Sequence, residues 1–284
     1  MLFTIEDGTY AYDVVGTGPP IVLLHGFTGT KRTWQSLVEV LKDTYQVITV
    51  DLPGHGKTKT RTERSMKQCC DDLQYLIKYL GFSKVHMLGY SLGGRTALSF
   101  SIYYPEKVSS LILESASPGL EKVEDQEARQ KRDHQLANRL ETEGIDAFVN
   151  FWEKIPLFAT QQALPQAVKR QVRHERRSQS AHQLACSLRS MGTGAQPSWW
   201  KKINDLKMPI LLLVGALDAK FVAINHLMAK QMHTSHIHEV ENSGHAIHVE
   251  QPYKFGKIVK RFLNHIYDVE ENTDDDSMGT SSRI

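Results

Sequence analysis

The pentapeptide Gly89-Tyr90-Ser91-Leu92-Gly93 constrains this chain more than any other stretch. It is a G-x-S-x-G pattern, preceded by the apolar run Val85–Leu88 and followed by a helical stretch from Gly94 to Tyr104. Between a strand and a helix, this pattern reads as a sharp elbow that presents a nucleophile. The turn is strained, and flanking side chains would collide with strand or helix, so glycines stand on both sides of it. The hydroxyl of Ser91 then projects at the top of a sheet. It also lies near a helix N-terminus, where developing negative charge is favoured. The plainer alternative is a Gly/Ser-rich loop. It loses weight because the strand, the helix and the partner residues below all fall in register.

The rest of the chain supplies the sheet such an elbow needs. Leu2–Ile5 and Thr9–Val15 read as an opening antiparallel pair. Ile21–Leu24, Gln46–Val50, Val85–Leu88, Val108–Leu113 and Ile210–Val214 are short apolar runs bounded by turn residues, as expected of parallel strands buried on both faces. Helical patterns at Trp34–Leu41, Met66–Leu80, Gly94–Tyr104, Phe221–Gln231 and Pro252–Tyr267 alternate with them. That alternation predicts an α/β fold with a mostly parallel central sheet flanked by helices. From about Pro118 to Trp200 it stops, and the sequence turns charged and helical. A crossover of that length far exceeds ordinary connections. It is therefore read as an inserted helical cap over the C-terminal edge of the sheet, where ligands bind in open α/β sheets. The expected organisation is a core at 1–117 and 201–267, a helical cap at 118–200, and a tail at 268–284. That tail is acidic and polar, and too poor in apolar area to order itself.

Charge and cysteine content exclude several classes. The formal net charge is +2 and the pI about 8.3. With no nucleic-acid-binding signature, no nucleic-acid partner is expected. The tail holds six acidic residues against one arginine, so the body carries the positive excess. Much of it lies between Lys169 and Arg189, where six basic residues face one Glu175. A solvated helix face is the default reading of such a run, although it also favours anionic ligands. Cys69, Cys70 and Cys186 form no disulfide framework. The opening residues lack the pattern of a signal peptide, and no apolar run is long enough to span a bilayer. A cytoplasmic protein with no membrane association is expected.

Partners for Ser91 should follow in the order Asp, then His. Asp218 closes the segment ILLLVGALD, just after a late strand, and His245 closes ENSGH before the terminal helix. Asp218 would orient the imidazole, and His245 would take the proton from Ser91. His248 is the rival base; His245 is preferred because it follows Ser-Gly in a tight turn. An oxyanion hole needs two preorganised N–H groups. One comes from Leu92, after the nucleophile, and the other from Phe27 in the loop HGFTG after the third strand. His25 is read as a structural residue beside the hole. Gly56-Lys57-Thr58 mimics the end of a phosphate-binding loop, but Asp51 stands where the first glycine must be. His233, His236 and His238 read as an exposed strand rather than a metal site, so no metal is expected.

The motifs HGFTG, DLPGHG, GYSLGGR, ESASPGL, GAQPSWW, GALDAKF and SGHAIHVEQP occur here in one order. In this the chain resembles one branch of the α/β-hydrolases, the 2-succinyl-6-hydroxy-2,4-cyclohexadiene-1-carboxylate synthases of menaquinone biosynthesis, over residues 1–267. GYSLGGR, Ser115–Leu120 and Gln196-Pro197 before two tryptophans are the more specific parts. The resemblance implies an α/β-hydrolase fold and a lyase, not a hydrolase. Pyruvate is expelled from a small polycarboxylate, with the triad abstracting a proton and no cofactor taking part. It implies that Arg95, Arg129 and Arg176 bind substrate carboxylates, with Arg177 as the alternative to Arg176. Arg suits that task because its planar fork pairs bidentately with a carboxylate. Tyr90, Trp152 and Phe158 match aromatic pocket positions, and packing within the cap is their equal alternative. Glu153 stands where some members carry tyrosine. No obligate protein partner is implied.

Two rival readings use the same scaffold. A carboxylesterase or a carbon–carbon bond hydrolase would share fold and triad and differ only in pocket residues. A non-catalytic binding protein would be expected to lack a triad member, and none is missing.

Overall fold

The computed structural model describes residues 1–278, with side chains to 266; the tail expectation at 268–284 lies outside the residues described in full. The strands are β1 (Leu2–Ile5), β2 (Gly8–Val15), β3 (Pro20–Leu24), β4 (Gln46–Val50), β5 (Lys59–Thr60), β6 (Val85–Tyr90), β7 (Val108–Glu114), β8 (Ile210–Gly215) and β9 (Ser235–Val240). They form one sheet in the order β1-β2-β4-β3-β6-β7-β8-β9, with the short β5 paired to β2. β2 pairs antiparallel with β1 and β4. Every pair from β4 to β9 is parallel. All six residues of β6 and of β8 are buried, as sequences apolar on both faces require. His236 and His238 on the edge strand β9 are exposed.

The helices are α1 (Gln35–Leu41), α2 (Met66–Tyr79), α3 (Leu92–Tyr103), α4 (Val123–Trp152), α5 (Gln166–Arg177), α6 (Ala181–Met191), α7 (Ala219–Gln231), α8 (Ile247–Glu250) and α9 (Pro252–Met278). One face of the sheet packs on α2, α3 and α7 through Leu73, Leu76, Ala97, Phe100 and Met228. The other packs on α1 and α9 through Leu37, Leu41, Phe255, Val259 and Leu263. A reciprocal capping box at Ser65 and Gln68 starts α2; it satisfies amide donors that the first turn leaves unpaired.

Between β7 and β8 the chain is helical, with α4 packed on α6. Ala137, Leu140, Phe148, Leu184, Ala185 and Leu188 form a small core of their own there. α4 breaks at Gly144, whose φ of 79° is open to glycine at little cost. The chain leaves β3 toward β4 on one side and later returns to β6 on the other. The C-terminal ends of β3 and β6 therefore mark a topological switch point, and a crevice opens there.

Candidate active site

Ser91 sits at that switch point, directly between β6 and α3, with φ 50° and ψ −106°. Such a conformation at a non-glycine residue costs about 1–3 kcal/mol and persists only where the surroundings enforce it. Here they do. Its N–H donates to Glu114 O at 2.9 Å. A Cβ on Gly89 would stand 2.2 Å from Gly93 O, and one on Gly93 would stand 2.0 Å from Leu24 O. Only glycines let the elbow press this closely on the sheet. α3 starts at Leu92, two residues earlier than its sequence pattern indicates, because the elbow turns straight into the helix.

The three expected triad residues meet. His245 Nε2 lies 3.1 Å from Ser91 Oγ, and Nδ1 lies 2.7 Å from Asp218 Oδ2. Asp218 also accepts the Phe221 N–H at 3.3 Å as the N-cap of α7, which fixes its carboxylate at the mouth of β8. With Nδ1 donating to Asp218, Nε2 is left to accept from the serine. The rings of Phe221 and Tyr90 flank His245 at 4.6 and 5.4 Å. His248, the rival base, is engaged elsewhere. Its Nδ1 faces both oxygens of Glu114, at 2.9 and 2.8 Å, and its backbone N–H donates to the same carboxylate at 3.0 Å. Glu114 is fully buried at the end of β7. Sequence reasoning gave it no role, although it opens the motif ESASPGL.

Beside the serine, neither Phe27 N–H nor Leu92 N–H has a protein acceptor among the described residues. Two buried histidines set the loop that holds Phe27. His25 Nε2 accepts the Leu52 N–H at 3.0 Å, so its Nδ1 donates to Gly26 O at 2.8 Å. The carbonyl of Gly26 and the amide of Phe27 belong to one planar trans peptide and point opposite ways. Holding the oxygen back thus aims the N–H forward. His55 Nε2 accepts the Thr28 N–H at 3.2 Å, and its Nδ1 donates to Pro53 O at 3.0 Å. Burial lowers the imidazolium pKa to about 4 for His25 and about 3 for His55, the nearby His25 adding to the latter shift. Both rings are neutral at pH 7. Asp51, at the place that breaks the phosphate-loop pattern, accepts the N–H groups of Lys31 and Lys57 at 2.7 and 2.8 Å. The DLPGHG segment is a structural turn.

A cavity of about 320 Å³ opens over Ser91 between core and cap. Ser91, His245, Leu92, Phe27, Tyr90, Trp152, Phe158, Arg95 and Arg129 all line it. Phe27 meets Trp152 and Phe148 of the cap edge-on at 5.5 and 6.3 Å, so the loop that holds Phe27 is itself a cap contact. Trp152 Nε1 and Ser115 Oγ are buried with no hydrogen-bond partner among the described residues. Both residues line the cavity through other atoms. Arg95 donates from Nη1 to Gln196 Oε1 at 2.5 Å and to Met191 O at 3.0 Å, both neutral acceptors. Burial, and then the neighbouring Arg129, lowers its pKa to about 9. Arg129 pairs with the buried Asp133 at 2.8 Å. The cavity lining thus carries Arg95, Arg129 and Lys220 against Glu121, with Asp133 paired to Arg129 from outside the lining.

Arg176 is not in the cavity wall. It lies one layer behind, buried, with its guanidinium over the Phe158 ring at 4.7 Å and 3.3 Å from Gln161 Oε1. It lines an adjoining cleft with Lys169, Arg170 and Arg173. Arg177 points outward and pairs with Asp146 at 2.6 Å, so neither of the adjacent arginines meets the cavity. The remaining basic residues of 169–189 are mostly cap surface, as Arg189 with Glu141 and Arg173 with Glu153 show. The stretch's single acid is the more consequential residue. Glu175 Oε1 accepts from Thr30 N–H, Thr30 Oγ1 and Thr33 Oγ1 at 2.9, 2.6 and 2.9 Å, which ties α5 of the cap to the loop after the oxyanion segment. Among the described residues, no cluster of three or more His, Cys, Asp or Glu could hold a metal ion, and no helix is long and apolar enough to cross a membrane.

Residues 19–252 match the family model described as alpha/beta hydrolase fold. A Bacillus subtilis (strain 168) protein provisionally named 2-succinyl-6-hydroxy-2,4-cyclohexadiene-1-carboxylate synthase is 42% identical over 270 residues, 93% of this chain and 98% of that protein. The solved structure of MenH from S. aureus superposes with a TM-score of 0.88 at 36% identity, covering 93% of this chain and all of that one. A thermophilic esterase from Thermogutta terrifontis, solved with malate bound, superposes with a TM-score of 0.81 at 26% identity, covering 94% of this chain and 99% of that one. The fold, the elbow and the extent of these likenesses agree: this chain belongs to the α/β-hydrolase fold and, within it, to the 2-succinyl-6-hydroxy-2,4-cyclohexadiene-1-carboxylate synthase family.

Proposed function

We propose that the chain is a lyase that eliminates pyruvate from 2-succinyl-5-enolpyruvyl-6-hydroxy-3-cyclohexene-1-carboxylate, giving 2-succinyl-6-hydroxy-2,4-cyclohexadiene-1-carboxylate for menaquinone. The observation that carries this reading is a complete triad facing a buried Arg95 that has only neutral acceptors. A buried cation without an anionic partner is costly, and a substrate carboxylate removes that cost. A neutral ester would leave the buried Arg95 with no carboxylate hydrogen-bonded to it.

The two ring names fix the bond changes. The succinyl group is on C2, the double bond is C3=C4, and the enolpyruvyl oxygen is on C5. Ser91, activated by His245, takes the C2 proton. That electron pair forms C2=C3, the C3=C4 pair moves to C4=C5, and the C5–O bond breaks. The departing enolate of pyruvate takes up a proton and becomes the keto acid, so no water is consumed. The C2 proton is acidic because the succinyl carbonyl adjoins it. As it leaves, negative charge grows on that carbonyl oxygen, which Phe27 N–H and Leu92 N–H hold in preorganised geometry. Asp218 keeps the His245 tautomer correct and stabilises its charged form. Arg95 and Arg129 bind carboxylates within the cavity, Arg176 supports the Phe158 wall from behind, and Tyr90 and Trp152 close the sides. The segment 118–200 is the cap that excludes water, on a core of 1–117 and 201–267. With Cys69, Cys70 and Cys186 all free, the reducing cytoplasm suits the protein.

The test supplies the precursor, couples released pyruvate to lactate dehydrogenase, and runs p-nitrophenyl acetate in parallel. The reading requires pyruvate release with weak ester turnover. Efficient ester turnover without pyruvate would leave the carboxylesterase reading standing.

A further inference from the structure

The motif residue Gln196 is not a cavity residue, yet it controls one. Its side chain is 2% exposed, and its Oε1 takes the Arg95 Nη1 donor at 2.5 Å. Its Nε2 is buried without any hydrogen-bond partner among the described residues. A buried amide that leaves one donor orphaned is unfavourable. A glutamate of the same shape would have no donor to orphan and would form an ion pair with Arg95. Local stability therefore favours Glu over Gln at this position, and the neutral residue needs another reason. The same stretch of chain organises both cavity arginines. Met191 O accepts from Arg95, and Gly194 N–H donates to Asp133 Oδ2 at 3.3 Å, the carboxylate that holds Arg129. The segment Met191–Gln196 is also where the chain leaves α6 of the cap and returns to the core, with Trp199 N–H bonded to Pro118 O at 2.7 Å.

We infer that Gln196 is a positioning residue that fixes the Arg95 fork with an uncharged acceptor, so that the guanidinium has no carboxylate hydrogen-bonded to it until a substrate carboxylate arrives. This rests on the reading of Arg95 as a carboxylate-binding residue. The closing experiment measures pyruvate release for wild type, Gln196→Glu, Gln196→Met and Arg95→Ala, with a melting curve for each. A carboxylate at position 196 competes with the substrate for Arg95 equally in ground and transition states. Gln196→Glu should raise KM about tenfold or more, the factor for one charged hydrogen bond, with kcat changed far less and the melting temperature maintained or raised. A purely structural role would predict the opposite for this near-isosteric replacement, with KM unmoved. Gln196→Met removes the acceptor without adding charge and should raise KM by a smaller factor; it decides the matter if the Glu variant does not fold. Wild-type KM in both Gln196 variants, with Arg95→Ala impaired, would overturn the role of Gln196. Wild-type kinetics in Arg95→Ala would instead overturn the carboxylate-binding reading beneath it.

Discussion

Lowering the pH should loosen this fold well before its carboxylates titrate, because buried imidazoles support the oxyanion loop in the neutral form. His25 and His86 are held to a pKa of about 4 and His55 to about 3, in each case chiefly by burial. An unfolded chain restores each to about 6.5. Between those values the unfolded state binds more protons than the native state, so stability falls as pH falls, starting near 6.5 and continuing to about 4 and below. At pH 5 each ring contributes a loss of about 2 kcal/mol, roughly 6 kcal/mol for the three, against a typical total of 5–15 kcal/mol. The local chemistry agrees with the sign. Nε2 of His25 and of His55 each accepts a backbone N–H, from Leu52 and Thr28, and a protonated ring would oppose donor to donor. Urea unfolding across pH 7.5 to 4.5 measures this directly. The slope below pH 6 should approach three protons, about 4 kcal/mol per pH unit. His86→Gln, remote from the cavity and bonded to Ser110, should remove about one proton of that slope and leave activity unchanged. A stability that stays flat from pH 6.5 to 4.5 would refute the claim that these rings are held neutral.

Three further outcomes follow from the same geometry. Ser91→Ala, Asp218→Asn and His245→Ala should each abolish most pyruvate release with little change in melting temperature. Because triad members act as a unit, the double variant Ser91→Ala/His245→Ala should be little worse than either single one. Arg95→Lys and Arg129→Lys keep the charge but lose the fork, and each should lower kcat/KM by about 1.5–3 kcal/mol; Arg176→Lys should cost less, since Arg176 lies behind Phe158 rather than in the cavity wall. Glu175→Gln exchanges a charged acceptor for a neutral one beneath three donors of Thr30 and Thr33. It should destabilise cap docking by about 1–2 kcal/mol, read as faster proteolysis of α5 at unchanged core stability.

The triad, the elbow and the sheet were legible in the sequence because their signals are local. A buried parallel strand announces itself in five or six apolar residues, and Gly89, Gly93 and the turn before His245 lie beside the groups they position. Strand–helix order then fixes which loops meet at the switch point. The contacts that escaped notice act over long separations. Glu175 meets Thr30 across 145 positions, Gln196 meets Arg95 across 101, and Glu114 meets His248 across 134. None has a local pattern that reveals its partner: the first two contacts exist only once cap and core have docked, and the third joins β7 to α8 within the core. Arg176 and Arg177 differ by one residue of helical rotation, about 100°, which sends one side chain behind Phe158 and the other to Asp146. The break in α4 at Gly144 was obscured for a related reason: charged residues continue across it and keep the helical pattern.

The central claim is that the triad removes a proton from carbon rather than attacking a carbonyl. Precursor carrying deuterium at C2 tests it most directly, with pyruvate release from labelled and unlabelled precursor compared in single-turnover experiments. The account predicts slower release from the deuterated precursor, because the C–H bond at C2 breaks in the chemical step, and no turnover by Ser91→Ala. Equal single-turnover rates for the two precursors, or a substrate-derived adduct on Ser91 accumulating during turnover, would contradict it.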